Sequence, residues 1–280
     1  MILQNKNAVI YGAGGSLGSA VAKSLAAAGA KVFLTGRSIV SVQKVADEIR
    51  ARGGHVEVGV VDALSEKEVR AYLDKVTAEV KTVDISFCAI DFQVVQNMNL
   101  VDMKVEDFVR PVNLAMQSQF LTSTIAASIM MKQRSGVILS LTATPGGIGY
   151  PYTGGFAPAC SAIETFSKNL AAEVGTYGVR VVNIRSAGSP DSRVFKEAIE
   201  GNPKEMEPIL QNMENDTMLK KLPAMEDIAT VAVFLSSNLA GKITGVTIDV
   251  TSGTTGGLNY KVPRVAKDLR RVGSTISLIE

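Results

Sequence analysis

The sequence has no tryptophan, one histidine and two cysteines among its 280 residues, and aromatic residues make up only 5% of it. Two thiols, Cys88 and Cys160, are too few for a disulfide framework, so the chain is expected to fold in a reducing, cytoplasmic setting. His55 opens a strand away from the glycine-rich turn described below. It has no ligand-type neighbours at a metal spacing, which predicts a structural histidine, no metal site and no serine–histidine–aspartate triad. Charge of one sign is also lacking: 29 Lys and Arg face 27 Asp and Glu, a net of +2. That balance gives no electrostatic reason to expect nucleic acid or an acidic membrane surface as a partner. No uncharged apolar run reaches the roughly 18 residues of a membrane span, and no charged-then-apolar leader opens the chain, so a soluble, unprocessed protein is expected.

What is present is an apolar content of 46%, enough for a substantial core. The length would allow two domains, but strand and helix patterns alternate without a break, which favours one. The alternation is clearest at Asn7 to Gly18, N-A-V-I-Y-G-A-G-G-S-L-G. Apolar residues ending at Tyr11 suit a buried parallel strand, a glycine cluster suits a sharp turn, and the Ala-rich run that follows suits a helix. Glycines let the backbone approach a pyrophosphate closely, and the free amides and positive dipole end of the helix attract its charge. This predicts a dinucleotide cradle at Gly12, Gly14, Gly15, Ser16, Leu17 and Gly18.

Gly12 and Gly18 lie six apart, so the turn resembles the T-G-x-x-x-G-x-G turn of the short-chain dehydrogenase/reductase family, with Tyr11 in the threonine slot and Ser16 in the middle glycine slot. The ending Ile243-Thr244-Gly245 to Asp249-Val250 resembles the family's I-T-G-x-x-I-x-V-D-G-G. The likeness extends over residues 5–253. It implies an α/β architecture, a Rossmann-type doubly wound parallel sheet of seven strands in one domain, with strand order 3-2-1-4-5-6-7. It also implies a homodimer or homotetramer built through the fourth and fifth long helices, and a small-molecule substrate.

After the second strand, over residues 31–35, the chain reads Gly36-Arg37-Ser38. Folds of this kind that bind NAD carry an acid there for the ribose 2′-hydroxyl. Here a guanidinium suits a 2′-phosphate, which predicts NADP(H); the alternative is a solvated turn with Ser38 as a helix N-cap. A third strand over residues 55–61 ends at Asp62, which the resemblance places against the adenine amino group; otherwise it is an acid near the start of the next helix. The fourth strand ends Cys88-Ala89-Ile90-Asp91 where the family carries N-N-A-G. The Ala89 backbone is expected to line the nicotinamide ribose without the usual asparagine side chains, and Cys88 is a small buried residue.

A helical pattern follows over residues 105–131, interrupted at Arg110-Pro111. Asn113 falls on the family asparagine that organises a catalytic water, or is structural. The fifth strand is read over residues 136–140, and the segment G-V-I-L-S-L-T-A resembles the strand that delivers a catalytic serine, which places Ala143 in the serine slot. Phe156 then occupies the tyrosine slot and Cys160 the lysine slot. Phenylalanine transfers no proton, and cysteine carries no positive charge at neutral pH. The remaining hydroxyls nearby are Tyr150 and Tyr152 as a relocated proton donor, or as loop packing, and Thr142 to orient a substrate oxygen, or to cap the strand end.

Past the sixth strand, Ser186-Ala187-Gly188 occupies the family's P-G turn, so Gly188 joins the cofactor candidates. Residues 190–222 read as a mobile substrate lid in which Met206, Met213 and Met218 line an apolar pocket or simply pack on the core. Residues 254–280 form a basic extension carrying Lys261, Arg264, Lys267, Arg270 and Arg271, read as a tail crossing a subunit boundary or a frayed terminus. Two functions fit. One is an NADP(H)-dependent oxidoreductase with a non-standard site, acting on an activated carbonyl or conjugated alkene. The other is a catalytically silent NADP(H)-binding sensor or regulator.

Overall fold

Strand β1 (Asn7–Tyr11) is buried along all but its first residue, as a central strand of a parallel sheet must be when helices cover both faces. In the computed structural model, which describes residues 1–257, it pairs with β2 (Lys31–Gly36) on one side and β4 (Ile85–Cys88) on the other. The sheet is completed by β3 (Val56–Val60), β5 (Gly136–Ala143), β6 (Val179–Ser186) and β7 (Val246–Val250), all parallel, in the order β3-β2-β1-β4-β5-β6-β7. This is the seven-stranded, doubly wound α/β sheet expected from the sequence.

Successive side chains on a strand point to opposite faces, and β1 divides accordingly. Ala8 and Ile10 join one core with α1 (Ser16–Ala27), α2 (Ile39–Ala51) and α8 (Met225–Ser236), through residues such as Leu25, Ile49 and Ile228. Val9 and Tyr11 join the other, with α3 (Glu66–Val80), α4 (Val105–Gln133) and α5 (Phe156–Val174), through Leu73, Met130 and Leu170.

Two boundaries differ from the sequence reading. Helix α4 runs without a break through Pro111, where an interruption was expected. Pro111 is buried in the second turn, where its missing N–H leaves the Asp107 carbonyl without its usual helical partner, yet the helix continues. Its ring abuts Gly155, where an added Cβ would lie 1.9 Å from the Phe108 carbonyl oxygen and 2.7 Å from the Pro111 ring. Only glycine lets α5 begin so close to α4. Strand β5, expected to end at Ser140, continues to Ala143 because β6 pairs with it over its whole length, out to Ala143 opposite Ser186. The extension carries Thr142, Ala143 and Ser186 out to the carboxyl edge of the sheet.

The segment read as a lid folds into α6 (Arg193–Gly201) and α7 (Pro203–Asp216), neither of which buries a residue fully. Of the basic carboxyl-terminal extension, everything after residue 257 lies outside the described residues. Among the described residues no helix is long and apolar enough to cross a membrane.

Candidate functional site

A cleft of about 690 Å³ opens at the carboxyl ends of the strands, the place where doubly wound sheets bind ligands. The β1–α1 turn forms its floor. Gly12 has φ +76°, and a Cβ there would meet the Ala89 carbonyl oxygen at 2.4 Å; at Gly18 a Cβ would lie 2.3 Å from the Gly12 carbonyl oxygen. The turn is therefore closed by backbone packing that no side chain could enter. The Ser19 amide is the first in α1 to reach a partner, the Gly15 carbonyl at 2.8 Å. By helix geometry the amides of Ser16, Leu17 and Gly18 are left for a ligand, with the positive end of the dipole behind them.

Gly12, Gly14, Gly15, Ser16, Leu17, Gly18, Arg37, Ser38, Asp62 and Ala89 all line this one cleft. Arg37 is exposed at the end of β2, and no acid of β2 stands beside it. Ser38 occupies the N-cap position of α2 with an extended backbone, but its hydroxyl accepts no amide hydrogen bond there. Asp62 holds its own turn, accepting the Leu64 amide at 3.0 Å through one carboxylate oxygen. Ser65, not Asp62, caps α3 through the Glu68 amide. Sequence reasoning missed Ser41. It lies in the first turn of α2, three residues past Ser38, lines the same cleft and places its hydroxyl 2.4 Å from where a Gly14 Cβ would be. Its place in the turn that follows Ser38 was the available signal.

The opposite wall is apolar. Phe156, at the start of α5, faces Phe92 with ring centroids 6.4 Å apart. Ala115, Ala159 and Ile163 are buried in the same cluster, and Val112 and Met116 pack against it. Asn113 is not among them. It is exposed, because the helix phase turns Leu114 and Ala115 inward and leaves Asn113 facing solvent. Tyr150 and Tyr152 do not reach the cleft either: their residues are 40% and 55% exposed, and their backbone carbonyls accept the Thr153 hydroxyl and the Asn97 amide. Tyr152 sits at φ +61°, which fixes the loop and not the phenol.

Thr142 lies at the cleft edge, but its hydroxyl is directed behind the wall. It donates to Glu164 Oε1 at 2.9 Å and accepts from Asn183 Nδ2 at 2.7 Å. Glu164, one turn past Cys160 on α5, is held by Arg185 through Nε to Oε1 at 3.0 Å and Nη2 to Oε2 at 2.6 Å. Arg185 also donates to Asp249 at 2.9 Å, and Asp249 accepts from the Thr251 and Thr255 hydroxyls. Burial lowers the Arg185 guanidinium pKa, but the Glu164 and Asp249 hydrogen bonds outweigh it and leave the group above its ordinary value. Cys160 is fully buried, and burial pushes its thiol up to about 11. Cys160 therefore presents neither charge nor nucleophile to the cleft.

Gly188 is not part of the cleft lining. A Cβ there would meet Met213 at 2.5 Å and Phe195 at 2.8 Å, so the turn after β6 is roofed by α6 and α7. Of the methionines read as pocket lining or as packing on the core, Met213 packs on this turn and Met218 packs against Gly253. The amino end of α6 continues inward, and Ser192, Arg193 and Val194 line the cleft beside the β1–α1 turn. Among the described residues no cluster of three or more His, Cys, Asp or Glu could hold a metal ion.

The cradle, the free amides and the cleft volume fit a dinucleotide, and comparison with known proteins points the same way. A family model described as enoyl-(acyl carrier protein) reductase matches residues 12–255. The 3-oxoacyl-(acyl-carrier-protein) reductase FabG of Escherichia coli (strain K12) is 30% identical over 258 residues, covering 90% of this chain and 98% of that one. The 7alpha-hydroxysteroid dehydrogenase of the same organism is 29% identical over 262 residues, covering 92% and 97%. Among solved structures, levodione reductase superposes with a TM-score of 0.83 at 23% identity, covering 90% of this chain and 98% of that one. With a glycine turn, strand order and closing strand that all agree with this likeness, the chain belongs to the short-chain dehydrogenase/reductase family.

Proposed function

We propose that the chain binds NADP(H) in this cleft and is an oxidoreductase of the short-chain type, with a non-standard site in which the usual proton relay is missing. The observation that supports the cofactor reading is the end of β2, where Arg37, Ser38 and Ser41 line the cleft together and no acid of β2 stands among them. A guanidinium there favours a phosphate over a hydroxyl. One charge-assisted hydrogen bond, about 1.5–3 kcal/mol, corresponds to roughly 10- to 150-fold preference for NADPH over NADH. Fluorescence titration of both cofactors tests this, with Arg37→Ala expected to remove most of the difference. Equal affinities in the unaltered protein would overturn it.

When bound, the nicotinamide supplies or accepts the hydride. The chain's own contribution is then to place an apolar substrate and exclude water, which Phe92 and Phe156 suit. Ala143, Phe156 and Cys160 stand where the resemblance implies serine, tyrosine and lysine, so none of these side chains donates a proton to a carbonyl oxygen. Such a site favours substrates activated by their own structure, an activated carbonyl or a conjugated alkene, protonated from water. A panel of enones and diketones followed by NADPH absorbance measures it.

The second reading, a silent NADP(H)-binding sensor or regulator, is favoured by two observations: the Thr142 hydroxyl is engaged with Glu164 and Asn183, and Tyr150 and Tyr152 are exposed on their loop. No turnover on the panel together with tight NADPH binding selects it. In the first reading, unchanged turnover in Tyr150→Phe and Tyr152→Phe would exclude a relocated tyrosine.

A further inference from the structure

We infer that Arg193, on the lid helix α6, is a phosphate-binding residue for the dinucleotide, delivered to the cleft by the hydroxyl of Ser16. The inference rests on the reading of the cleft as a dinucleotide site and goes beyond it, because it assigns part of that site to the lid.

Ser16 stands in a slot where the resemblance implies glycine, so its side chain is an addition to the turn. In the structure its Oγ accepts the Arg193 amide at 3.0 Å, a bond between residues 177 apart in sequence. The bond joins the first residue of α1 to the first residue of α6. Two helix amino ends are thereby brought together, each with positive partial charge and each with amides that the helix does not use. Like partial charges at close range repel, and an anion between them turns that repulsion into attraction. Ser192 satisfies the Phe195 amide, so the α6 turn is capped from its own side, and the Arg193 amide is spent on Ser16.

Arg193 also lines the cleft, and its side chain brings a full charge to this helix end. That side chain is 72% exposed, and among the described residues its ion pair is a 3.7 Å contact to Glu197 on its own helix. Arg193 and Arg37 are the two arginines of the lining, with Asp62 and Asp91 its two acids. Asp62 and Asp91 each accept a nearby backbone amide, from Leu64 and Gln93, in their own turns. Arg37 sits at the 2′-end of the adenosine, which leaves Arg193, beside the α1 amides, for the diphosphate. The start of α6 is held in position from both sides. The Asp191 carboxylate accepts the Met225 amide at 3.1 and 3.2 Å, and Phe195 rests on Gly188. The remainder of α6 and α7 buries nothing fully, so a ligand gripped by Arg193 would tighten an otherwise loosely held lid.

The test compares NADPH with adenosine 2′-monophosphate, which reaches Arg37 but has no diphosphate. Arg193→Ala is expected to weaken NADPH binding by roughly 10- to 150-fold, the range of one charge-assisted hydrogen bond, and to leave binding of the monophosphate unchanged. Arg193→Lys should recover part of the loss, and Ser16→Gly should lose part of the affinity without removing any charge. In limited proteolysis, NADPH should protect the lid of the unaltered protein against cleavage after Lys196 and Lys204, and that protection should disappear in Arg193→Ala. Unaltered NADPH affinity and lid protection in Arg193→Ala would overturn the inference while leaving the cofactor reading intact. Failure of the unaltered protein to bind NADPH at all would overturn both. Arg193 is exposed, so a thermal melt of the alanine variant should match the parent.

Discussion

At the β1–β2 end of the cleft the backbone forms the site, whereas at the β5–α5 end side chains have closed on one another. The first wall consists of glycine geometry, helix amides and one exposed guanidinium on Arg37. The second consists of Phe92 against Phe156, with the ion network of Glu164, Arg185 and Asp249 behind it. A site made from backbone survives sequence change as long as the glycines at tight contacts remain. A site made from proton-carrying side chains is lost with the few residues that bear them. On the proposed reading, that difference lets one chain keep a dinucleotide cradle while the chemistry beside it changes.

The comparison is broken most forcefully from behind the second wall. Arg185→Ala would leave Glu164 buried without its partner, a change worth about 3–5 kcal/mol of stability for a buried pair. Urea unfolding should register it, while NADPH affinity of the folded fraction stays unchanged, since the network does not reach the first wall. A loss below about 1 kcal/mol, the range of exposed pairs, would mean that the network does not hold that wall. Gly12→Ala acts on the first wall. It places a Cβ against the Ala89 carbonyl at φ +76°, and strain of this kind costs about 1–3 kcal/mol. It should also abolish the rise in melting temperature that NADPH produces. Retained cofactor stabilisation would show that the turn yields more easily than its packing implies.

A further contrast concerns the thiols, whose effect near neutral pH is nil. Burial pushes Cys88 and Cys160 up to about 11, so both should resist a thiol reagent in the folded protein and react only on unfolding. Because the folded value lies above the ordinary 9.0, the unfolded state releases these protons first as pH rises. The stability is therefore fully present below pH 9 and should decline between about 9 and 11. Rapid labelling of the native protein would place one thiol at the surface of the second wall.

Much of the architecture was legible because its signals are local. Apolar runs ending in glycine turns set β1 and β2, and the order of all seven strands followed from the family likeness. The cradle residues were legible for the same reason, since glycine spacing records a backbone shape. Pro111 misled because tertiary packing, here with the start of α5 at Gly155, can carry a helix through a proline that the local pattern marks as a break. Asn113 misled because one residue of helix phase decides between cleft and solvent, and packing with α5 sets that phase. Tyr150 and Tyr152 lie near the site in sequence, but the loop turns their rings outward. Sequence distance says nothing about side-chain direction in an irregular segment.

The sequence by itself determined that strands and helices alternate, that a glycine turn joins the first strand to the first helix, and that arginine and no acid follows β2. These are properties of neighbouring residues, written by periodicity and by backbone freedom. Only the tertiary structure decided that Arg193 meets Ser16, that Glu164 finds Arg185 and Asp249, and that Phe156 faces Phe92. Those pairings join segments far apart in the chain. They depend on how the helices pack on the sheet, which no local pattern of residues records.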